Sequence, residues 1–500
     1  MRMIPATMAT QHPDNAGPPY WERDSDGFVS TGEEIEECLS AFRDLGCQEF
    51  MWDWEGKHVD EAVVDKLFHA HLAFFKKRQL GRDVFLTFRI PNIWHERGYS
   101  LARAMMGIHT AESFARDLGL HTPPLFEVIL PMTKTASDII TIQRTFSRLS
   151  RFTSKLFREP CHFHYLSVLP LLEGVDDLLS APRLLERYLI LHRREFGKKP
   201  SALRLHIARS DPALNAGLVP AVVAGKVALH HFYQFGRRHG IDIHPALGAG
   251  TLPFRGGLSP LRINDFVREY GGVRTVYIQS AFRYDFPLPA VKRAIARLNR
   301  ELPRTEPPHF SSTEIATAAQ ICHQFTAPYR RTVETIAPMV NRIAQHVPSR
   351  RERKLHIGLF GYSRTLGKVR LPRAIPFTAA LYSLGVPPEL IGTGRGLRLS
   401  ERSGSGVETY YRNIRRDLVL AGRYLNKDNL ARLGTLHRGW RAIADDVHAI
   451  ESFLGAKLGP KTRADEVHRT LTTDVLRNWS AGAEVADLII QSGKIRHSLG

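Results

Sequence analysis

The feature that most constrains this chain is an alternation that repeats along most of its length. Short runs of apolar, β-branched and aromatic residues read as strands at Glu49–Asp53, Val84–Arg89, Phe126–Pro131, His164–Pro170, Leu203–Arg209, Ile241–Leu247, Thr275–Gln279 and Leu355–Phe360. Longer stretches with helical periodicity separate most of them, among them Glu61–Lys76, Tyr99–Leu118, Leu184–Glu195 and Leu218–Phe235. A first helix precedes the series, with Thr31 and Glu34 at capping-box spacing and Ile35, Leu39 and Phe42 on one face. Strand followed by helix, repeated, is the grammar of a parallel sheet with helical crossovers. Eight such units predict an α/β fold closed into a (β/α)8 TIM-type barrel.

The chain has 500 residues, enough for about three average domains or for one barrel with insertions. After Pro372 the strand signal stops, and helical patterns run through Ile375–Leu384, Tyr410–Tyr424, Leu436–Phe453 and Thr472–Ser480. The division this predicts is a barrel with helical insertions over 1–372, carrying the active site, and a mainly helical region over 373–500 packed on it. No Pro/Gly/Ser-rich linker separates the two, so the boundary is soft. A net charge of +19 predicts attraction to anions, whether nucleic acid, a membrane surface or small acidic substrates. The four cysteines Cys38, Cys47, Cys161 and Cys322 form no CxxC pair, which argues against a disulfide framework or a thiolate zinc site. The opening MRMIPATMATQHPDN lacks the apolar core of a signal peptide, and no run long enough to span a bilayer occurs. The expectation is a soluble, cytoplasmic protein with reduced thiols.

In a barrel enzyme the active site is built from the loops at the carboxyl ends of the strands. At or just past those ends stand Asp53 with Glu55, Arg89, Lys134, Glu173, Asp211, Arg255, Arg283 and Arg364. Arg350 to Lys354 read as a solvated basic turn, whereas Arg364 in GYSRTLG and Arg373 in LPRAIPF sit among apolar and small residues. A guanidinium beside an apolar wall takes a bidentate anionic partner, either an internal carboxylate or a substrate phosphate or carboxylate. In LGAGTLPFRGGLSP the glycines at 248, 250, 256 and 257 permit sharp turns around Arg255, although the segment is neither a Walker loop nor a dinucleotide fingerprint. Glu173 and Asp211 are candidate ligands for a hard divalent cation, which takes one or two carboxylates and fills its other positions with water and substrate oxygens. From pattern alone Asp211, followed by Pro212, reads first as a helix cap, a good Ncap–N1 pair. His12, in TMATQHPDNAG, is one of 23 histidines, and imidazole is the natural general base near neutral pH.

Taken together and in this order, the motifs resemble the phosphoenolpyruvate carboxylase family in its compact form, typical of archaea and some bacteria. TQHPDN, TFRIPN, FEVILPMTKTASD, LPLLEGVDD, RSDPALNAG, GTLPFRGG, TVYIQSAFRYD, LHIGLFGYSR, LPRAIPF and the terminal IRHSLG carry the match from end to end. Several are also similar to the long bacterial and plant form: TQHPDN to its TAHPTE, MTKTASD to its MAKTPSD, LPLLEGVDDL to its metal-binding LFET segment, and RSDPALNAG to its YSDSxKDAG. FRGG is similar to the second half of the long form's GRGG…GRGG loop, and GYSR and RAIPF to its SRPxxR and RAIPW segments.

The resemblance implies a phosphoenolpyruvate/pyruvate-type barrel that carboxylates phosphoenolpyruvate with bicarbonate, giving oxaloacetate and phosphate in anaplerotic carbon fixation. It implies Mg2+ or Mn2+ held by Glu173 and Asp211, and His12 as the catalytic histidine taking the proton from carboxyphosphate. Arg373 and Arg89 would grip the substrate phosphate, and Arg255 and Arg364 would orient the bicarbonate-derived carboxyl group. Gly256 and Gly257 would shape the substrate loop, and the segment around Arg255 would close over the enolate to exclude water. The chain departs from the long form at Leu214, which stands where that form has lysine, and at Ala249, in place of the first loop arginine. Lys134 and Arg209 are the expected replacements. The family further suggests a homotetramer, with no nucleic-acid or membrane partner. Two other readings compete: a metal-dependent barrel lyase or aldolase acting on pyruvate or oxaloacetate, and a basic nucleic-acid-binding protein. Against the second stand the absence of RNP, KH and zinc-finger patterns and of aromatics interleaved with basic runs.

Overall fold

A computed structural model describes residues 3–22, 26–55, 57–96, 99–157, 163–352 and 365–500. Eight parallel strands close into a barrel in simple chain order: β1 (Thr7–Thr10), β2 (Glu49–Asp53), β3 (Phe85–Arg89), β4 (Glu127–Leu130), β5 (Ser167–Leu172), β6 (Ala202–Ala208), β7 (Asp242–Gly248) and β8 (Thr275–Ile278). The predicted fold class holds, but the ring is completed by a different strand. Thr7–Thr10 pairs with both β2 and β8, with Met8 opposite Glu49 and Tyr277. This four-residue TMAT carries almost no apolar pattern, so its β character comes from having ladder partners on both sides. The run Leu355–Phe360 lies outside the described residues.

Alternation along the strands sorts their side chains into two sets. Outward residues such as Phe50, Trp52, Leu86, Phe88, Val128 and Ile207 join the large core beneath the helices. Inward residues Met8, Met51, Ile129, Leu169, Leu171, Ala208, Ala246 and Tyr277 form a separate buried cluster that fills the barrel. The inward column of β2 is therefore Glu49, Met51, Asp53, and that of β6 is Arg204, His206, Ala208. The β2 column runs from a charged floor through an apolar waist to the mouth, and that of β6 carries His206 at the waist. At the floor Arg204 bonds Glu49 at 2.9 and 2.7 Å, Glu127 at 2.6 Å and Thr275 at 3.0 Å.

The first helix spans Glu34–Arg43, and its expected capping box does not form. Ser30 and Glu33 pair instead, the Ser30 N–H and hydroxyl both donating to the Glu33 carboxylate at 2.9 and 2.6 Å. Glu34 is diverted inward, where Lys57 and Arg351 hold it. The 33-residue helix Ser312–Ala344 packs against Leu218–His239 and against three helices of the later region, Ala374–Ser383, Thr393–Ser403 and Arg438–Leu454. The stretch expected as one helix over Tyr410–Tyr424 is split into Val407–Tyr410 and Ile414–Gly422. Buried Glu269 accepts from the backbone N–H groups of Arg412 (3.3 Å) and Asn413 (2.7 Å), drawing the chain out of helical geometry between them. The final residues return to the barrel mouth, where the Leu499 N–H donates to the Asp14 carbonyl at 2.7 Å. No described helix is long and apolar enough to cross a membrane.

Candidate active site

The carboxyl ends of the strands open on a cavity of about 670 Å3. His12, Arg89, Glu173, Arg209, Asp211, Arg255 and Arg373 all line it. These residues come from the loop after β1, the ends of β3, β5 and β6, the glycine-rich segment, and the start of the helix Ala374–Ser383. The parity of β5 explains Glu173: Leu169 and Leu171 point inward, and Glu173 continues the alternation one step past the strand end. Asp211 lies inside the first turn of the helix Ser210–Ala216, and Arg209, not Asp211, occupies the cap position. The capping reading of Asp211 therefore does not describe its place, since no side chain caps this helix and Asp211 lines the cavity.

Arg89 is held by two acids. Its Nε and Nη2 donate to the two Asp53 oxygens at 2.9 and 2.7 Å, and Nη1 lies 2.9 Å from Glu55. Burial opposes the charge, but Asp53 and Glu55 outweigh it and, with Glu173 nearby, keep this guanidinium protonated well above its ordinary range. His12 sits with Nδ1 2.9 Å from the Thr10 hydroxyl, which fixes the plane in which its ring meets the cavity.

Arg255 is fully enclosed and acts as a hub. It donates to Ser210 Oγ (3.1 Å), Asp14 Oδ2 (2.9 Å), Gln279 Oε1 (2.6 Å) and the Gly500 carbonyl (2.7 Å). Three loops and the end of the chain are thereby tied at one guanidinium. The segment around it does not have the form expected of a closing loop. A 3-10 turn over Pro253–Arg255, the backbone bonds Gly250 N–H to Arg255 O (2.8 Å) and Leu258 N–H to Gly250 O (2.9 Å), and the bond from Phe254 N–H to buried Glu389 (2.9 Å) lock it beneath the later helices. Gly256 has φ +126°, and a Cβ there would stand 2.6 Å from that of Ala249; the glycine is required for close packing. Gly256 and Gly257 border a second, small void behind the loop and not the main cavity.

Lys134 falls outside the cavity lining: it is an exposed side chain whose Nζ lies 2.5 Å from Asp177. Arg209 lines the wall but turns its Nε to the Tyr270 hydroxyl at 2.7 Å. Arg283, also at a strand end, is buried beneath the site on the Thr10 carbonyl (2.7 Å) and Glu37 (2.8 Å). Arg364 lies outside the described residues.

The basic turn read as solvated is wrong for its first two members. Arg350 and Arg351 are buried and line the cavity. Arg351 bridges Glu34 at 2.9 Å and Glu37 at 2.7 Å. Burial opposes ionisation of Glu37, but Arg351 and Arg283 prevail and hold its carboxyl down at about 2. Arg350 reaches the Ala16 carbonyl at 2.7 Å, tying the strap that carries His12. No local pattern marks these two arginines, because their partners lie more than 300 positions away in sequence. Asp14, Gln279, His206 and Tyr277 were missed as well; a tally of inward positions on β6 and β8 would have found the last two.

Glu173 and Asp211 supply hard oxygen donors on one wall, beside open space. That set suits a divalent cation that keeps positions for water and substrate oxygens. Among the described residues no three His, Cys, Asp or Glu side chains gather into a ready-made cage.

Comparison with known proteins follows the same line. A family model described as phosphoenolpyruvate carboxylase matches residues 4–500. The chain is 41% identical over 503 residues to the phosphoenolpyruvate carboxylase of Leuconostoc mesenteroides, covering 100% of this chain and 99% of the relative. It is 40% identical over 522 residues to that of Metallosphaera sedula, with 100% of each chain covered. To that of Methanothermobacter thermautotrophicus it is 35% identical over 517 residues, covering 99% and 100%.

Proposed function

The chain belongs to the phosphoenolpyruvate carboxylase family, and from that premise we propose how its residues divide the work of carboxylating phosphoenolpyruvate with bicarbonate to oxaloacetate. One observation carries the reading: Glu173 and Asp211, on different strand ends, open on the same cavity as His12 and the guanidiniums of Arg89, Arg209, Arg255 and Arg373. Both substrates are anions, so bringing them together costs Coulomb repulsion that a cationic wall offsets.

The family depends on a divalent metal, and Glu173 with Asp211 are the residues that would hold Mg2+ or Mn2+. When bound, such an ion supplies positive charge to phosphoryl and enolate oxygens. The protein residues do the rest. Arg373, at the start of its helix, and Arg89 receive the phosphate. For Arg89 this means exchanging part of its Asp53–Glu55 clamp for the ligand, so the acids keep the guanidinium extended and ready. Arg255 serves as the fixed corner on which the loops bearing Ser210, Asp14 and Gln279 converge, and Arg209 braces the same loop from behind. His12 takes a proton in the step that releases CO2 for capture by the enolate. The strap that positions it is held by Asp285, which accepts from the Ala16 and Gly17 N–H groups at 2.8 and 2.7 Å. Residues 1–372 form the catalytic barrel in this reading, and 373–500 the helical cover that clamps the glycine-rich segment from above.

The test is product formation followed through malate dehydrogenase with bicarbonate present and withheld. Oxaloacetate and phosphate appear together and only with bicarbonate; a barrel aldolase or lyase would need no bicarbonate and release no phosphate. His12→Asn is expected to lower oxaloacetate formation by about 10²–10⁴-fold while bicarbonate-dependent pyruvate release continues. Full oxaloacetate formation by that variant would remove His12 from the mechanism.

A further inference from the structure

At the base of the cavity, where the apolar waist of the barrel begins, two side chains form a pair that the roles above do not use. His206, on the inward column of β6, and Tyr277, on that of β8, have Nδ1 and the phenol oxygen 2.8 Å apart and ring centroids 4.3 Å apart. Both are buried, and both line the cavity. Between them runs β7 at Gly248, where a Cβ would stand 2.9 Å from His206 Nε2 and 3.6 Å from the Tyr277 ring. A side chain on Gly248 would fill the space that Nε2 faces.

The direction of the hydrogen bond follows from proton accounting. A neutral imidazole carries one ring proton, on either nitrogen. Were it on Nδ1 and donated to the phenol oxygen, the Tyr277 hydroxyl proton would need an acceptor of its own. Among the described residues the phenol makes no other hydrogen bond, and a buried donor left unmade is costly; His206 Nε2, by contrast, is not one of the sealed unpartnered nitrogens and opens on the cavity, where a proton on it can find an acceptor. Tyr277 therefore donates, Nδ1 accepts, and the ring proton sits on Nε2. Burial, reinforced by Arg89 and Arg204, pushes the His206 pKa well below its ordinary value, so the ring stays neutral.

We infer that Tyr277 locks His206 in the Nε2–H tautomer, and that Nε2 donates a hydrogen bond from the barrel axis to a carboxyl oxygen of the bound substrate. The ligand class follows from the surroundings. A phosphoryl group carries more charge and suits the guanidiniums higher on the wall. A single uncharged donor beside Leu171, Ala208 and Gly248 suits a carboxyl group, which either the three-carbon or the one-carbon substrate brings. His206 is then a substrate contact and Tyr277 a positioning residue. This inference rests on the carboxylase reading above.

The experiment uses full-length protein with 15N-labelled histidine, the His206 signals being assigned by their loss in His206→Gln. The expected spectrum shows unprotonated Nδ1 and protonated Nε2 that do not titrate across neutral pH, and a mixture of tautomers in Tyr277→Phe. In kinetics His206→Met, which has no donor, is expected to lose about tenfold or more in kcat/KM. His206→Gln, with an amide near the Nε2 position, retains most of it. A rise in KM for bicarbonate or for phosphoenolpyruvate tells which carboxyl group is held. A protonated Nδ1, or wild-type kcat and both KM values in His206→Met, would overturn the inference. If His206→Met does not fold, Tyr277→Phe carries the same kinetic test, and unchanged kinetics together with an unchanged tautomer overturn it. Failure of the carboxylase reading would look different: wild-type protein would make no bicarbonate-dependent oxaloacetate.

Discussion

At the closed end of the barrel Arg204 stands between Glu49 and Glu127; at the open end Arg89 stands between Asp53 and Glu55. The two trios have the same charges and similar distances, 2.6–2.7 Å at the floor and 2.7–2.9 Å at the mouth. They differ in what surrounds them. The floor trio is buried and does not line the cavity: Arg204 also donates to the Thr275 hydroxyl, and the Thr87 hydroxyl donates to Glu49. Arg89 and Glu55 line the cavity. An ion pair inside protein can only fix geometry, whereas one on a cavity wall can trade a partner for an incoming anion. Chemical composition does not separate structural from functional arginines here; access does.

The sharpest way to break the comparison is Arg204→Met. It leaves two carboxylates buried without a counter-charge, and the expected loss is about 3–5 kcal/mol, read as a collapse of folded yield or a large drop in Tm. Adding Glu49→Gln and Glu127→Gln to that variant should return much of the stability, because the desolvation cost is then removed as well. At the mouth, Arg89→Gln should cost about 10²–10³-fold in kcat/KM for phosphoenolpyruvate with Tm little changed. If Arg89→Gln unfolds the protein as Arg204→Met does, the two ends do not differ in kind.

Asp211→Asn probes the same wall through an acid. It should raise the divalent-metal concentration for half-maximal rate by about tenfold or more. A lower Tm with unchanged metal dependence would make Asp211 a structural acid of the first helical turn and not a metal ligand. The smallest effect comes from a buried acid that no guanidinium holds among the described residues. Glu389 accepts from the Phe254 N–H and the Tyr382 hydroxyl through one oxygen, and burial raises its carboxyl to about 7. The unfolded value is near 4.5, so between these limits the folded state binds more protons and its stability falls as pH rises. Glu389→Gln keeps the accepting oxygen and removes the titration. It should gain on the order of 1–3 kcal/mol over the parent at pH 8 and little at pH 4, as thermal unfolding at the two values would show.

How far the sequence could be read depended on whether a residue's partners were local. Strands β2 to β8 were legible because their outward residues face helices and stay apolar. β1 was not, since TMAT takes its structure from partners 41 and 269 positions on, Glu49 opposite Met8 and Val276 opposite Thr7. Glu173 and Asp211 stood out as acids just past strand ends, and both line the cavity. Lys134 looked equivalent, yet its long side chain turns outward to Asp177. The basic turn at Arg350 and Arg351 looked like surface because five consecutive residues show no burial pattern; the acids that draw two of them inside lie on the first helix.

The order of strands β2 to β8, the acids and arginines at their ends, and the family are written in the chain itself, because alternation and motif are properties of neighbours in sequence. Tertiary structure alone decided which arginines face the cavity and which brace its walls, that the glycine-rich segment is clamped, and that a tyrosine two strands away sets the tautomer of His206. Those outcomes depend on what a side chain meets across the barrel, and Coulomb and hydrogen-bond energies act over ångströms in space, not over positions along a sequence.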